Sequence, residues 1–231
     1  MNITVFGASG PVGRAVVGQA LSAGHAVTAV TRRPDAFGPS APLLRVVSAD
    51  VHDPAEVAAA IRDAGAVIST VGVLPGRKPV TTYSAGTSTI IAAMCDQDVR
   101  RIVCVSSKEL DEDCVGDEPA LYRFFFARVL ATVNRTIYDD MRRMEAILRE
   151  SDRDWTIVRP AGLFAADRVT DYRCPAGHEP GVSTSTADLA DALIRSAVGG
   201  MGIGQTLQVL TDDDKPPYLL LLARQSNLHR H

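Results

Sequence analysis

The stretch Ile3-Thr4-Val5-Phe6-Gly7-Ala8-Ser9-Gly10-Pro11-Val12-Gly13 decides the reading of this chain. Ile3 to Phe6 is a short β-branched and aromatic run, as a buried strand requires. The glycines at 7, 10 and 13 then supply a tight turn, a close backbone approach to a ligand, and a close helix–strand contact. Pro11 starts a helix without loss, because its missing N–H has no partner in a first turn. Strand, glycine loop and helix in that order aim the free N–H groups of a helix terminus at anionic oxygens. The pattern is that of a pyrophosphate cradle, so Gly7, Ala8, Ser9, Gly10, Pro11, Val12 and Gly13 are read as cofactor-binding.

Working outward, β-branched runs alternate with helical periodicity over most of the chain. Six further strands are predicted: Ala26 to Val30, Leu44 to Ser48, Ala66 to Thr70, Arg101 to Val105, Trp155 to Val158 and Thr206 to Leu210. Alternation of this kind predicts an α/β fold: a Rossmann-type doubly wound parallel sheet of about seven strands with helices on both faces. Gly24 is placed to stop the first helix. Asp53 is placed to cap the second, with Pro54 at its first position and Glu56 at capping-box spacing. Thr81 or Ser84 starts the third. The helical pattern over Pro119 to Glu150 would span roughly 48 Å, which predicts a break near Thr132 to Asn134. No repeat or linker divides the 231 residues, so they read as one domain, with the substrate-covering parts at about 110–140 and 160–185.

Composition narrows the class of function. Of 24 basic residues 21 are Arg, scattered along a chain of net charge −3, which gives no electrostatic case for nucleic acid. No apolar stretch has the length of a membrane span, and the chain opens into a strand instead of a basic leader, so a cytoplasmic protein with a small-molecule partner is expected. Cys95, Cys104, Cys114 and Cys174 lack paired spacing and the five His are dispersed, so no metal site is predicted. A monomer or a homodimer fits, the Leu219 to Leu222 run being a candidate terminal strand or dimer edge.

The end of the second strand selects the nucleotide. A carboxylate there takes both ribose hydroxyls of NAD, whereas Arg takes the 2′-phosphate of NADP. This chain has Thr31-Arg32-Arg33, so NADP(H) is expected over NAD(H), with Asp35 as the one opposing charge. Asp50-Val51 follows the third strand, where a carboxylate can reach the adenine amino group; Asp50 reads equally as a turn or cap residue. Thr70-Val71-Gly72 closes the fourth strand, where small residues let backbone approach the cofactor.

The glycine loop, Arg32, Asp50-Val51, Ser106-Ser107 and Trp155-Thr156-Ile157-Val158-Arg159-Pro160 together resemble the atypical short-chain dehydrogenase/reductases of the NmrA-like, NAD(P)H-binding group. The likeness runs over about residues 1 to 211. It implies a Rossmann fold, bound NADP(H), and hydride transfer to flavins, quinones or other conjugated acceptors; the group also holds redox-sensing regulators. Arg33 beside Arg32 and Ser106 at the end of the fifth strand are read as cofactor-binding too, and Pro160-Ala161-Gly162-Leu163, after the sixth strand, should pack near the nicotinamide. Flavin reductases of the group carry a His two positions beyond the proline matching Pro160, where this chain has Gly162.

The catalytic pair of the wider superfamily, Tyr with Lys four residues on, is absent. Tyr83, Tyr122, Tyr138, Tyr172 and Tyr218 are followed at that distance by Thr87, Phe126, Arg142, Ala176 and Leu222. Tyr138 with Arg142 is the nearest substitute, since a fixed cation lowers a phenol's pKa. Tyr122, fifteen residues past Ser107, has the superfamily's approximate spacing. Ser107, at the end of the fifth strand, is the strongest catalytic candidate, because ligands in such sheets sit outside the carboxyl ends of strands. A conjugated acceptor needs only orientation and exclusion of water, so the expected function is an NADPH-dependent reductase of a flat conjugated molecule. The alternatives are a non-catalytic NADP(H)-binding regulator, and an isomerase or cyclase without net redox change.

Overall fold

A computed structural model describes residues 1–37, 41–73, 79–111 and 120–213, with backbone alone for Ala36 and 120–134. Strands β1 (Asn2–Phe6), β2 (Ala26–Thr31), β3 (Leu44–Ser48), β4 (Ala66–Ser69), β5 (Arg101–Val105), β6 (Asp154–Pro160) and β9 (Gln205–Val209) form one sheet in the order β3-β2-β1-β4-β5-β6-β9. Every neighbouring pair is parallel, so all seven carboxyl ends lie along one edge. The order reverses between β1 and β4, which opens a crevice above those two strands.

Alternating strand residues feed two cores. Helices α2 (Pro54–Ile61), α3 (Thr82–Asp96) and α4 (Ala120–Glu150) cover one face, where Phe6, Val67, Ile102 and Ile157 meet Ile61, Met94, Met144 and Leu148. Helices α1 (Pro11–Ser22) and α5 (Thr186–Gly199) cover the other, where Ile3, Val5, Ile68 and Val103 meet Val16, Ala20, Leu189 and Leu193. The period-2 pattern of the strands thus predicts which side chains each helix layer receives.

Three local expectations are corrected. Helix α4 runs without the break expected at Thr132 to Asn134; beyond that point Ile137, Met141, Met144 and Leu148 are buried in the core. Asp53 does cap α2, accepting from the N–H groups of Ala55 and Glu56. Glu56 does not close the capping box: its carboxylate accepts from Asp50 N at 2.7 Å, while Asp53 N donates to Asp50 O. Two three-residue strands, β7 (Gly162–Phe164) and β8 (Ser183–Ser185), pair in a separate small parallel sheet. The Leu219 to Leu222 run and Cys114 lie outside the described residues.

Between β7 and β8 the chain is pinned at many points. The Asp188 carboxylate, fully buried on α5, accepts from Thr170 N at 2.7 Å and from the hydroxyls of Thr170 and Thr211. Tyr172 donates to Asp191 at 2.6 Å, and Arg173 pairs with Glu179 and Asp212. Lys108, following β5, is buried and donates to the carbonyl of Gly181. This segment is therefore tied down along its length, from α5 on one side and the end of β5 on the other.

Candidate functional site: a nucleotide cradle at the carboxyl edge

The glycine loop leaves β1 and turns immediately into α1. Gly7 has φ +75°, which only glycine adopts without strain, and a Cβ there would lie 2.6 Å from the carbonyl oxygen of Thr70. A Cβ on Gly13 would lie 2.4 Å from Gly7 O. Gly10 is less constrained, with its nearest neighbour at 3.4 Å. Thr70 holds the loop from the side: its hydroxyl donates toward Phe6 O at 2.9 Å and Gly7 O at 3.2 Å.

The termini of the helices differ in who serves them. Helix α2 is capped by Asp53, and α5 by Ser185, which accepts from Asp188 N. The first turn of α3 is capped from another helix: Asp140 of α4, wholly buried, accepts from Tyr83 N at 2.8 Å and Ser84 N at 3.4 Å, and takes the Ser84 hydroxyl as well. The amino end of α1 receives no side-chain cap from Gly10 and has no acidic residue in its first turn. Its N–H groups open toward the glycine loop, the arrangement that binds anionic oxygens. A dinucleotide pyrophosphate fits this cradle.

At the end of β2, the Thr31 hydroxyl donates to Ser9 Oγ at 2.8 Å and accepts from Arg33 N at 3.0 Å, joining the strand end to the glycine loop. Arg32 and Arg33 are exposed, and neither guanidinium has a hydrogen-bonded partner among the described residues. Asp50, past β3, accepts from His52 N at 2.9 Å and pairs with His52 Nδ1 at 2.8 Å. Those His52 hydrogen bonds, helped by the charge of Arg32, hold its carboxyl below the usual aspartate range. Asp50 is thus a turn residue, and it borders the crevice as well. Val51 packs where a Cβ on Gly86 would come within 2.9 Å, so Gly86 is what lets α3 approach.

On the other side of the crevice, the backbone after β4 is fixed by Tyr83, whose hydroxyl accepts from Val73 N at 3.4 Å. Burial pushes that phenol upward. Ser106 turns toward α4: its buried hydroxyl donates to Glu145 Oε1 at 2.7 Å, and its N–H donates to Val158 O. Glu145 also receives Arg159 through Nε at 2.9 Å and Nη2 at 2.7 Å, and Arg149 at 2.7 Å. Burial alone would raise this carboxyl, but the hydrogen bonds from Arg159 and Ser106 outweigh it and hold the group below the ordinary glutamate range. One carboxylate thereby locks the ends of β5 and β6 together.

Ser107 stands at the mouth, half-buried, its hydroxyl on the Glu109 carboxylate. Pro160 ends β6, and Ala161 N donates to the Thr184 hydroxyl at 2.9 Å, so the 160–162 backbone is held by the small sheet. Tyr138 is half-buried against the α4-side core, and Arg142 pairs with Asp139 at 3.1 Å. The side chain of Tyr122 lies outside the described residues. His178 lines a cleft of about 300 Å³ with Asp111, Arg159, Thr206 and Gln208 at the β6–β9 edge, several strands from the glycine loop. Its Nδ1 lies 3.4 Å from Asp111.

Parallel topology therefore collects the glycine loop, Arg32 and Arg33, Asp50 and Val51, Thr70 to Gly72, Ser106 and Ser107, and Pro160 to Gly162 along one edge. Neither Glu145 nor the capping role of Asp140 is among the features singled out from the sequence. The four-residue spacing of Glu145 and Arg149 was the only local signal for the former; the latter has none, because its partners lie 56 and 57 residues away.

The sequence pattern of the NAD(P)H-binding family matches residues 7–198. An uncharacterized chloroplastic protein of Arabidopsis thaliana is 33% identical over 171 residues, 70% of this chain and 59% of that protein. An uncharacterized protein of Mycobacterium tuberculosis is 36% identical over 165 residues, 71% of this chain but 15% of its own length. The chain thus spans well under two thirds of these relatives. Among solved structures, a short-chain dehydrogenase/reductase from Veillonella parvula in complex with NADP superposes with TM-score 0.75 at 18% identity, covering 94% of this chain and 99% of that one. ChuY, an anaerobillin reductase from Escherichia coli O157:H7, superposes with TM-score 0.71 at 24% identity, covering 94% and 100%.

Proposed function

The chain belongs to the NAD(P)H-binding family, and from that premise we propose that it is an NADPH-dependent reductase delivering hydride to a flat conjugated small molecule such as a flavin or quinone. The observation that carries the reading is the amino end of α1, which no side chain among the described residues caps, although α2, α3 and α5 are each served by one. The loop before that end is joined through Ser9 and Thr31 to the end of β2, where the Arg32 and Arg33 guanidiniums have no hydrogen-bonded partner among the described residues. The relative with bound NADP and the relative described as a reductase support the same direction.

When bound, the nicotinamide supplies the hydride. The chain supplies position: the glycine loop would hold the pyrophosphate, Arg32 would pair with the ribose 2′-phosphate, and the 160–162 backbone, fixed by β7 and β8, would wall the nicotinamide side. Ser107 orients the acceptor from the end of β5, and the pinned segment before β8 keeps water from that side. Tyr122 and Tyr138 are secondary candidates for the acceptor's wall. A cytoplasmic monomer or homodimer suits this use of NADPH.

A second reading, an NADP(H)-responsive regulator without turnover, is favoured by the absent Tyr-x-x-x-Lys and by the Ser107 hydroxyl resting on Glu109. Calorimetric titration with NADPH and with NADH, followed by NADPH oxidation in the presence of flavins and quinones, separates the two. Clear NADPH preference with turnover is expected; binding without turnover on any acceptor selects the regulator. In the same titration Arg32→Ala is expected to weaken NADPH by more than about fivefold, a charge-assisted bond being worth roughly 1 kcal/mol or more, and to leave NADH nearly unchanged. A loss below about threefold removes Arg32 from the 2′-phosphate.

A further inference from the structure

We propose that Arg14 is a third cation of the nucleotide site and a determinant of selectivity for adenine nucleotides carrying a ribose 2′-phosphate. The proposal rests on the NADP(H) reading above. Arg14 sits in the first turn of α1 with its side chain exposed, yet the guanidinium is held at two points. Its Nε donates to Ser9 O at 3.1 Å, and its central carbon lies 5.7 Å above the centre of the Phe37 ring. Ser9 is the residue whose hydroxyl receives Thr31, and Thr31 in turn receives Arg33 N. A continuous line of contacts therefore runs from Arg14 through the glycine loop to the end of β2, where the 2′-position of a bound ribose is read.

Phe37 comes from the same β2–β3 connection as Arg32 and Arg33, so the ring brings Arg14 to that connection. Its Nη1 and Nη2 have no protein acceptor among the described residues. Asp35, the acid of that connection, forms no ion pair with it. A stacked guanidinium with one nitrogen anchored loses little further freedom on binding, and its two remaining nitrogens present the paired donors that a phosphate monoester takes. The Arg32 and Arg33 side chains are exposed and held by no hydrogen bond among the described residues, whereas Arg14 is preorganised.

The test titrates wild type, Arg14→Gln, Arg14→Lys and Phe37→Leu with NADPH, NADH and 2′,5′-ADP, the last carrying the 2′-phosphate without a nicotinamide. Arg14→Gln is expected to weaken NADPH and 2′,5′-ADP by about tenfold or more and NADH by less than about twofold. Arg14→Lys keeps the charge without the fork, and Phe37→Leu removes the stack; each is expected to give a smaller, few-fold loss on the same two ligands. Equal weakening of NADPH and NADH by Arg14→Gln, or no weakening of either, overturns the proposal while the Arg32 assignment stands. A wild type that binds NADH as tightly as NADPH overturns the NADP(H) reading itself, and this inference with it.

Discussion

Arginines at the two ends of the sheet are used in opposite ways. At the amino end, Arg101 is 6% exposed and reaches five acceptors: the carbonyls of Ser196, Ile102, Asp154 and Met201, and the Thr156 hydroxyl. Burial pulls its guanidinium down to about 10, still charged at neutral pH. At the carboxyl end, Arg32 and Arg33 are exposed and their guanidiniums hydrogen-bond to nothing among the described residues. The same side chain fastens β5, β6 and α5 where its donors are all engaged, and stands open to solvent where they are not. Residue type alone does not separate the two roles; the count of engaged donors does.

The sharpest way to break that comparison is at Arg101. Arg101→Met leaves several buried carbonyls without donors, and is expected to destabilise by on the order of 3 kcal/mol or more. That corresponds to a drop in Tm of roughly 6–12 °C for a chain of this size, measured by calorimetry. A drop like that of an exposed arginine would mean that engaged donors do not mark the fastening role.

Glu145 tests the junction between the two ends. Glu145→Ala leaves Arg159, largely buried, without its carboxylate, and is expected to cost about 2–3 kcal/mol in urea denaturation. Because the folded state holds this carboxyl below its unfolded value, the unfolded chain takes the proton first. The stabilisation is therefore complete at neutral pH, and disappears as pH falls through the ordinary glutamate range to the folded value. Wild type should lose stability over that window more steeply than Glu145→Gln; parallel profiles would contradict the assignment.

The smallest effect is expected at Ser107, on the ligand side. Ser107→Ala should leave Tm unchanged and NADPH affinity within about twofold of wild type while lowering kcat on the true acceptor by about tenfold or more. Unchanged turnover takes Ser107 out of the site.

Most of the sheet was legible because a strand buried on both faces leaves a continuous apolar run, and the glycine loop because a Cβ at Gly7 or Gly13 would lie 2.6 or 2.4 Å from a backbone oxygen. Arg32-Arg33 at the end of β2 stands out in the sequence, and in the fold both side chains are exposed. What escaped reading is long-range and polar. Strands β7 and β8 are three residues each, too short to show a period. Lys108 reads as a solvated loop residue until the fold brings Gly181 to it, 73 positions later. Helix α4 continues past Thr132 to Asn134 because docking against β6 and α3 overrides local propensity.

The Asp140 cap has a consequence for synthesis of the chain. Helix α3 emerges first, and the group that satisfies its first turn arrives 57 residues later. Until α4 docks, the amino end of α3 has no partner but water, and the β4–α3 junction that Tyr83 fixes is unfinished. A nascent chain stopped short of Asp140 would therefore carry a frayed α3, and completion of the crevice above β1 and β4 is timed by the appearance of a helix on the far side of the sheet's midpoint.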